Sequence, residues 1–162
     1  QKQLLLTVNG YIQNNKEKFM HDAITIAKYI INLCAEDNQP VSNLQLQGIL
    51  YIIQKTFLQA GVSVFEDEFE AWPIGPVILR VYNSYCGFGA LRIRLFFPDV
   101  QVPDEFRKII DCIIRTKRKL APWELTEETL DAAWKQTYSN GTGNHRYIPK
   151  SLICQQCFLL KK

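Results

Sequence analysis

Two stretches of apolar residues at helical spacing constrain the fold of this chain most strongly. In residues 22–36, apolar side chains recur at intervals of three and four, which places them on one broad helix face. Residues 42–61 repeat the pattern after a capping-box pair, Ser42 and Gln45, and Gly61 ends the stretch. The sequence therefore predicts two consecutive helices. Their buried positions are Ala23, Ile26, Ala27, Ile30 and Cys34, then Leu46, Ile49, Leu50, Ile53 and Phe57.

The middle of the chain carries mixed signals. Residues 62–72 alternate with a period of two around an acidic centre, which predicts a short β-hairpin or a paired extended segment. Residues 73–76 break this pattern, and Pro76 suits the first position of a helix that ends at Gly87. Residues 91–95 alternate apolar and arginine side chains, which predicts a second strand.

The C-terminal half returns to helical patterns. We predict a helix over residues 103–116 and a last helix over residues 150–159. Between them, Leu125 and Thr126 are spaced as the N′ and N-cap residues of a further helix, with Leu130 closing a hydrophobic staple. The sequence as a whole predicts a compact single domain of about six helices, mainly α with a small β-hairpin element. At 162 residues and 47% apolar composition, such a domain can bury a real core.

Net charge argues against a surface dedicated to nucleic acid. The formal charge is +3, but residues 1–19 hold three lysines against one glutamate, so the remainder is close to neutral. Met20 is the only methionine and directly precedes the first helical pattern. We therefore interpret residues 1–19 as an N-terminal extension, either a leader, a tag or readthrough, and residues 20–162 as the domain.

The remaining composition predicts a cytoplasmic protein. No apolar run is long enough to span a bilayer, and residues 4–12 are too short for a secretory signal with so thin a basic flank. The cysteines are odd in number and scattered, which suits a reducing compartment better than a disulfide scaffold. They are Cys34, Cys86, Cys112, Cys154 and Cys157.

Motifs that would indicate catalysis or metal binding are missing from the sequence. His21 and His145 lie near no nucleophile signature. Cys154 and Cys157 have metal-like spacing but lack a second pair, and they fall on the apolar stripe of the last predicted helix. The glycines at 87 and 89 lack the residues that would complete a phosphate-binding loop. We predict no catalytic residues, no metal site and no cofactor, and thus a protein that is not an enzyme.

Two charged clusters remain as candidate partner-binding surfaces. Either could be a solvated face with helix-end electrostatics, or a docking surface that speeds and selects association with a protein. The acidic cluster is Glu66, Asp67 and Glu68, with Glu70 beside it, and the basic cluster is Arg115, Lys117, Arg118 and Lys119. With Arg107 and Lys108, the basic cluster also supports an alternative function, a DNA-binding regulator of its own promoter. A small hydrolase is a third, weaker alternative.

An ordered set of residues resembles a known family. Gln47 and Tyr51 lie on the second predicted helix, a Glu-Ala-Trp-Pro-x-Gly-Pro-Val block follows about twenty residues later, and Trp134 comes near the end. Over residues 21–160 this pattern resembles the Panacea domain, the SocA-like, phage-associated GepA family. The block consists of Glu70, Ala71, Trp72, Pro73, Gly75, Pro76 and Val77, with Ile74 at its variable position.

The match to that family has three departures. Gly48 stands where a lysine is usual, Ile74 where a tyrosine is usual, and Leu130 where a histidine is common. The missing histidine weakens the idea of a histidine-dependent site in this member. The resemblance implies a mostly helical antitoxin that neutralises a small toxin by direct binding, and for some members an adaptor that presents the toxin to a protease.

The signature block has a physical explanation that needs no partner. Trp72 at the end of a strand would bury a large apolar area, while Pro73 and Pro76 fix φ and Gly75 permits close backbone approach. We therefore expect the block to pack a hairpin onto a helix, so that replacing Trp72 by alanine unfolds the domain.

Overall fold

A computed structural model describes residues 21–159, apart from the side chains of residue 105 and of residues 155–159. The predicted extension, residues 1–19, and the end of the predicted domain, after residue 159, lie outside this part of the chain. None of the described helices is long and apolar enough to cross a membrane.

The first two predicted helices are confirmed. Helix α1 comprises Ala23–Glu36, and the Asp22 side chain caps it by accepting a hydrogen bond from the Ile24 amide at 2.8 Å. Helix α2 comprises Asn43–Gln59 and begins with the predicted capping box. There the Ser42 amide donates to Gln45 Oε1 at 3.0 Å and the Gln45 amide donates to Ser42 Oγ at 3.3 Å.

The β element is a three-stranded antiparallel sheet in the order β2-β1-β3. Strand β1 is Phe69–Trp72, strand β2 is Gly75–Val77 and strand β3 is Tyr147–Ile148. A hairpin is confirmed, but its predicted position is wrong. The register pairs Trp72 with Gly75, so Pro73 and Ile74 form the turn. The chain reverses there because Gly75 has a φ of +109°, a conformation that glycine alone adopts easily.

Helix α3, Leu79–Tyr85, begins later than predicted, because Pro76 pairs with Ala71 in the sheet instead of opening a helix. A 3₁₀ turn, Cys86–Phe88, follows it. The predicted strand at residues 91–95 is wrong. This stretch makes one isolated bridge, between Ser42 and Arg92, and single hydrogen bonds from the Ile93 amide to the Val41 carbonyl and from Arg92 Nη1 to the Pro40 carbonyl attach it in place of a neighbouring strand.

Four helices complete the described part of the chain. Helix α4, Asp104–Lys117, and helix α7, Lys150–Leu159, are confirmed close to their predicted bounds. Between them lie α5, Pro122–Thr129, and α6, Ala132–Tyr138.

The predicted helix start at Thr126 is wrong. Leu125 and Thr126 lie inside α5, which opens at Pro122, and Leu130 follows its last residue. The next helix start is Asp131, whose carboxylate accepts a hydrogen bond from the Trp134 amide at 2.9 Å. Proline at the first helical position and an aspartate N-cap both favour a helix start. Pro122 and Asp131 therefore determine where α5 and α6 begin, and Thr126 is not an N-cap.

Helix α2 lies at the centre of the core. It packs against α1, α3, α4, α5 and α7 and against β2. Phe57 stacks on Phe106 with ring centroids 4.9 Å apart, and Tyr51 meets the edge of Phe69 at 5.1 Å. The predicted fold class is confirmed: the described residues form a mainly helical domain, with seven α-helices and one small sheet.

Candidate functional site

The signature residues meet where the β1–β2 hairpin packs against α2 and α6. Trp72 stacks on the His145 ring with centroids 4.7 Å apart, and its other contact is a tilted one with Tyr82 at 4.9 Å. The carbonyl of Trp72 accepts a hydrogen bond from Trp134 Nε1 at 2.8 Å. Two aromatic residues far apart in sequence therefore join the hairpin to α6.

Glu70 is a buried carboxylate in this junction. Its Oε1 accepts a hydrogen bond from Trp72 Nε1 at 3.2 Å and lies 3.5 Å from His145 Nδ1. His145 is held in place because its amide donates to the Ala71 carbonyl at 2.7 Å. No local sequence pattern indicates this role: His145 follows a turn and has a left-handed backbone, with φ at +69°. Its partners come from a strand more than seventy residues earlier.

The small residues of the block make close packing possible. A Cβ on Gly75 would lie 2.9 Å from Thr129 Oγ1, so the turn touches the end of α5 directly. Ala71, Pro76 and Val77 are buried, whereas Pro73 is exposed in the turn. These contacts pack the hairpin against α2, α5 and α6.

Gln47 and Tyr51 tie α2 to the elements around it. Gln47 Oε1 accepts a hydrogen bond from the Ile78 amide at 3.0 Å, just before α3. The Tyr51 hydroxyl donates to Asp131 Oδ2 at 2.7 Å, and Lys55 Nζ lies 2.9 Å from the same oxygen. The other carboxylate oxygen of Asp131 caps α6. These polar groups satisfy one another, which is what a largely buried network requires.

The acidic cluster divides into two kinds of residue. Glu66 and Glu68 are exposed, whereas Asp67 is tied into the fold: its Oδ1 accepts from the Ala23 amide at 3.2 Å, and its Oδ2 pairs with Arg80 at 3.0 Å. Together with Glu70 they line an open cleft of about 590 Å³. Arg80 also pairs with Asp22, so this guanidinium links the start of α1 to the segment before β1.

Most of the basic cluster is already paired. Arg118, almost wholly buried, and Arg115 both hold Asp37, at 2.8 Å and 3.1 Å. The hydrogen bonds from Arg118 and Arg115 lower the pKa of Asp37 below its usual range. Lys117 Nζ lies 2.8 Å from Glu128 Oε2. Within residues 21–159, only Lys119 of the four is left without an ion pair.

The additional candidate residues for DNA binding and for metal binding lie on different helices. Arg107 pairs with Asp104, and Lys108 is exposed on the same helix. Cys154 Sγ donates to the Leu58 carbonyl at 3.3 Å, and the side chain of Cys157 lies outside the described residues. In the described part of the chain, no group of three or more His, Cys, Asp or Glu side chains is placed to hold a metal ion.

The region of the chain that resembles known proteins contains the β1–β2 hairpin and most of helix α2. The family model described as "Antitoxin SocA-like, Panacea domain" matches residues 46–135, which include Gln47, the hairpin block and Trp134. The curated protein "Antitoxin SocA" of Caulobacter vibrioides (strain NA1000 / CB15N) is 36% identical over 69 residues. That alignment covers 42% of this chain and 37% of the relative, so the chain spans little more than a third of it.

No solved structure matches the chain. The family model, in contrast, covers more than half of the chain, and its matched region holds both the central helix α2 and the hairpin junction. The chain therefore belongs to the SocA-like antitoxin family, whose shared unit is the Panacea domain.

Proposed function

We propose that this protein is a non-catalytic antitoxin that neutralises a cognate protein toxin by direct binding. The observation that carries the proposal is the match of residues 46–135 to the SocA-like antitoxin family. The name of the matching relative, "Antitoxin SocA", points in the same direction. A finer form of the proposal makes the protein an adaptor that also presents the toxin to a protease.

The contacts of the signature residues support binding rather than catalysis. Hydrogen bonds within the chain connect α2 to the start of α3 and to α6, and they are made by Gln47, Tyr51 and Asp131. Glu70 borders the acidic cleft, but it is buried and its Oε1 accepts a hydrogen bond from Trp72 within the hairpin. A catalytic acid or base must instead reach a substrate proton from an accessible cleft. These polar groups stabilise the fold, so we look for the toxin-binding residues on the surface.

The surface offers one charged candidate for the toxin. Glu66 and Glu68 are exposed at the acidic cleft, and carboxylates in such a position would steer a basic partner toward it. The basic cluster is a weaker candidate, because Arg115, Lys117 and Arg118 are neutralised within the chain. The same pairing leaves the alternative of a DNA-binding regulator with little support, since phosphate binding needs free cations.

Growth rescue tests the proposal. Each reading frame that flanks the gene is expressed from an inducible promoter, with and without this protein. We expect one of them to stop growth, and growth to resume when this protein is present. The two purified proteins should then elute together from a size-exclusion column. Toxicity that persists beside a soluble, folded copy of this protein would contradict the antitoxin role.

The half-life of the toxin distinguishes the two forms of the proposal. An adaptor shortens that half-life in cells, and deletion of the protease restores it. A simple inhibitor leaves the toxin stable while growth continues. Rescue with an unchanged toxin half-life would therefore remove the protease from the proposal and keep the direct binding.

A further inference from the structure

Residues 91–97, called the apolar segment here, expose large apolar side chains between α3 and α4. Leu91 is 72% exposed, Phe96 60% and Leu95 38%. Exposed hydrophobic residues this close together are typical of a contact surface, whereas single ones scattered over a protein are ordinary. We propose that the apolar segment is a docking surface for an extended acidic and apolar segment of a protein partner.

Hydrogen bonds hold both ends of the apolar segment. At its start, the Ile93 amide donates to the Val41 carbonyl at 2.8 Å, and Arg92 Nη1 donates to the Pro40 carbonyl at 3.0 Å. At its end, the Asn32 side chain makes two hydrogen bonds of 2.7 Å with the backbone of Phe97. A partner would meet a surface that is already ordered, so little conformational entropy is lost on docking.

The polar groups between these two attachments indicate the chemical character of the partner. The amides of Arg94, Leu95 and Phe96 make no hydrogen bond to any described residue, and the Arg94 guanidinium has no ion pair there. Carbonyls of an extended peptide can accept from such amides, as in strand addition. A carboxylate of the same peptide can pair with Arg94, and its apolar side chains can cover Leu95 and Phe96.

A cleft beside the apolar segment provides depth for one anchoring side chain. It has a volume of about 420 Å³, and its walls combine the apolar side chains of Leu33, Phe96 and Phe97 with the charged side chains of Glu36, Arg107 and Asp111. Interfaces gain most of their affinity from a few anchors buried in pockets of this kind, surrounded by contacts of smaller effect. The cleft and the free amides together favour a peptide segment over a flat protein surface.

This surface is distinct from the acidic cleft and goes beyond the proposed function. Asp67 bonds to Ala23 at the start of α1, while Asn32, nine positions later on the helix, bonds to Phe97. At 1.5 Å per residue these attachment points lie about 14 Å apart along α1. The acidic cleft carries the carboxylates of Glu66 and Glu68, which have no ion pair in the described residues, and the apolar segment carries the unpaired Arg94. The two surfaces therefore suit partners of opposite charge.

Selection from a library of random short peptides tests the inference with the full chain. We expect the enriched peptides to combine apolar and acidic residues. The triple variant Leu91→Ser, Leu95→Ser, Phe96→Ser should weaken their binding at least about tenfold, and Arg94→Glu should weaken it severalfold. Ile74→Ser is the matched control, because Ile74 is 39% exposed, like Leu95, but lies in the hairpin turn. Thermal melts should show all the variants folded.

Three results would overturn the inference. Enriched peptides that bind the triple variant as well as the wild type would place their site elsewhere. Failure to enrich any peptide would mean that the segment is no open docking surface, as when residues 1–20 of the same chain cover it. A wild-type dimer that the triple variant converts to a monomer would assign the surface to a second copy of the chain. Growth rescue is measured separately, so none of these results decides the antitoxin role.

Discussion

At the residue scale, Trp72 joins the signature block to the residues around it. Its ring stacks on His145 and leans on Tyr82, its Nε1 donates to Glu70, and its carbonyl accepts from Trp134. The ring is only half-buried, so its stabilising effect comes from these specific contacts together with the apolar area that it covers. A side chain with so many partners inside its own chain is a structural anchor first.

Replacing Trp72 by alanine should therefore destabilise the whole domain. We expect Trp72→Ala to lower the free energy of unfolding by about 3 kcal/mol, since truncation of a large aromatic side chain commonly costs that much. Trp72→Phe keeps an aromatic ring but loses the bond to Glu70 and part of the apolar area of the indole, so its cost should be smaller, about 1–2 kcal/mol. Urea unfolding followed by circular dichroism measures both. A Trp72→Ala protein that is as stable as the wild type but no longer binds the toxin would show that Trp72 is a partner contact.

Asp37 is a residue whose charge should matter for stability in acid. Its carboxylate holds the buried Arg118 and the exposed Arg115, and these bonds lower its pKa in the folded protein. The folded state thus binds a proton at Asp37 less readily than the unfolded state does. The resulting stabilisation is complete above the usual aspartate pKa of about 4 and is lost as the pH falls through the lowered value.

Asp37→Asn should test this pH dependence. We expect it to cost roughly 1–2 kcal/mol near pH 7, because the buried guanidinium of Arg118 loses its charged partner. The difference from the wild type should shrink at a pH well below the usual aspartate pKa of about 4, where the wild-type carboxylate also takes up a proton. Arg115→Gln is the control, and its loss should be smaller because Arg115 is exposed. Equal differences at both pH values, measured by urea unfolding, would contradict the assigned role of the charge.

At the element scale, helix prediction succeeded where neighbouring residues decide the outcome. The stripe and capping box of α2 are local, and so is the acidic first turn and basic last turn of α4. The hairpin turn, the start of α3 and the break between α5 and α6 depend on contacts across the fold. Pro76 could open a helix by its own preference, yet pairing with Ala71 places it in a strand.

The candidate site shows the same division. The order of Gln47, the hairpin block and Trp134 could be recognised from the sequence, but their meeting point could not be derived from local spacing. His145 had no sequence signal at all, because only the folded chain brings it to Glu70. Likewise, nothing in a run of arginines and lysines shows that Asp37 and Glu128 already pair with most of them.

Packing of α2 on α5 supplies a prediction about whole elements. Gly48 lies where the two helices touch, and a Cβ there would come within 2.8 Å of Leu125 Cγ. Alanine usually stabilises a helix interior by about 0.5–1 kcal/mol relative to glycine, but overpacking costs about 1–3 kcal/mol. Leu125 is buried, so moving its Cγ would require another rotamer inside the packed core. We therefore expect overpacking to dominate and Gly48→Ala to lose about 1 kcal/mol.

A double-mutant cycle separates the two effects at Gly48. In the background of Leu125→Ala the obstacle is gone, so Gly48→Ala should become stabilising by about 0.5 kcal/mol. The measurement is the urea midpoint of the wild type, both single variants and the double variant. If Gly48→Ala has the same effect in both backgrounds, the two helices are not in the close contact described above.

At the scale of the whole molecule, charge is arranged locally although the total is small. The formal net charge is only +3 over 162 residues, so long-range attraction to a partner must come from local clusters. Most acidic and basic side chains of the two predicted clusters pair within the chain, as Asp67 does with Arg80. Glu66 and Glu68 stand out because both are exposed beside a cleft, and in the described residues neither carboxylate has an ion pair.

Charge reversal at these two residues tests whether the acidic cleft steers the toxin. We expect Glu66→Lys with Glu68→Lys to slow association roughly threefold to tenfold at low salt, and to flatten the dependence of the association rate on salt. Asp67 stays unchanged, because its bonds to Ala23 and Arg80 make it part of the fold. The control reverses two other exposed carboxylates, Glu127 and Glu128 on α5, of which Glu128 pairs with Lys117, and so alters net charge equally. The association rate of each double variant with the toxin identified by growth rescue is measured by stopped flow. If both double variants slow association equally, the effect comes from net charge rather than from the cleft.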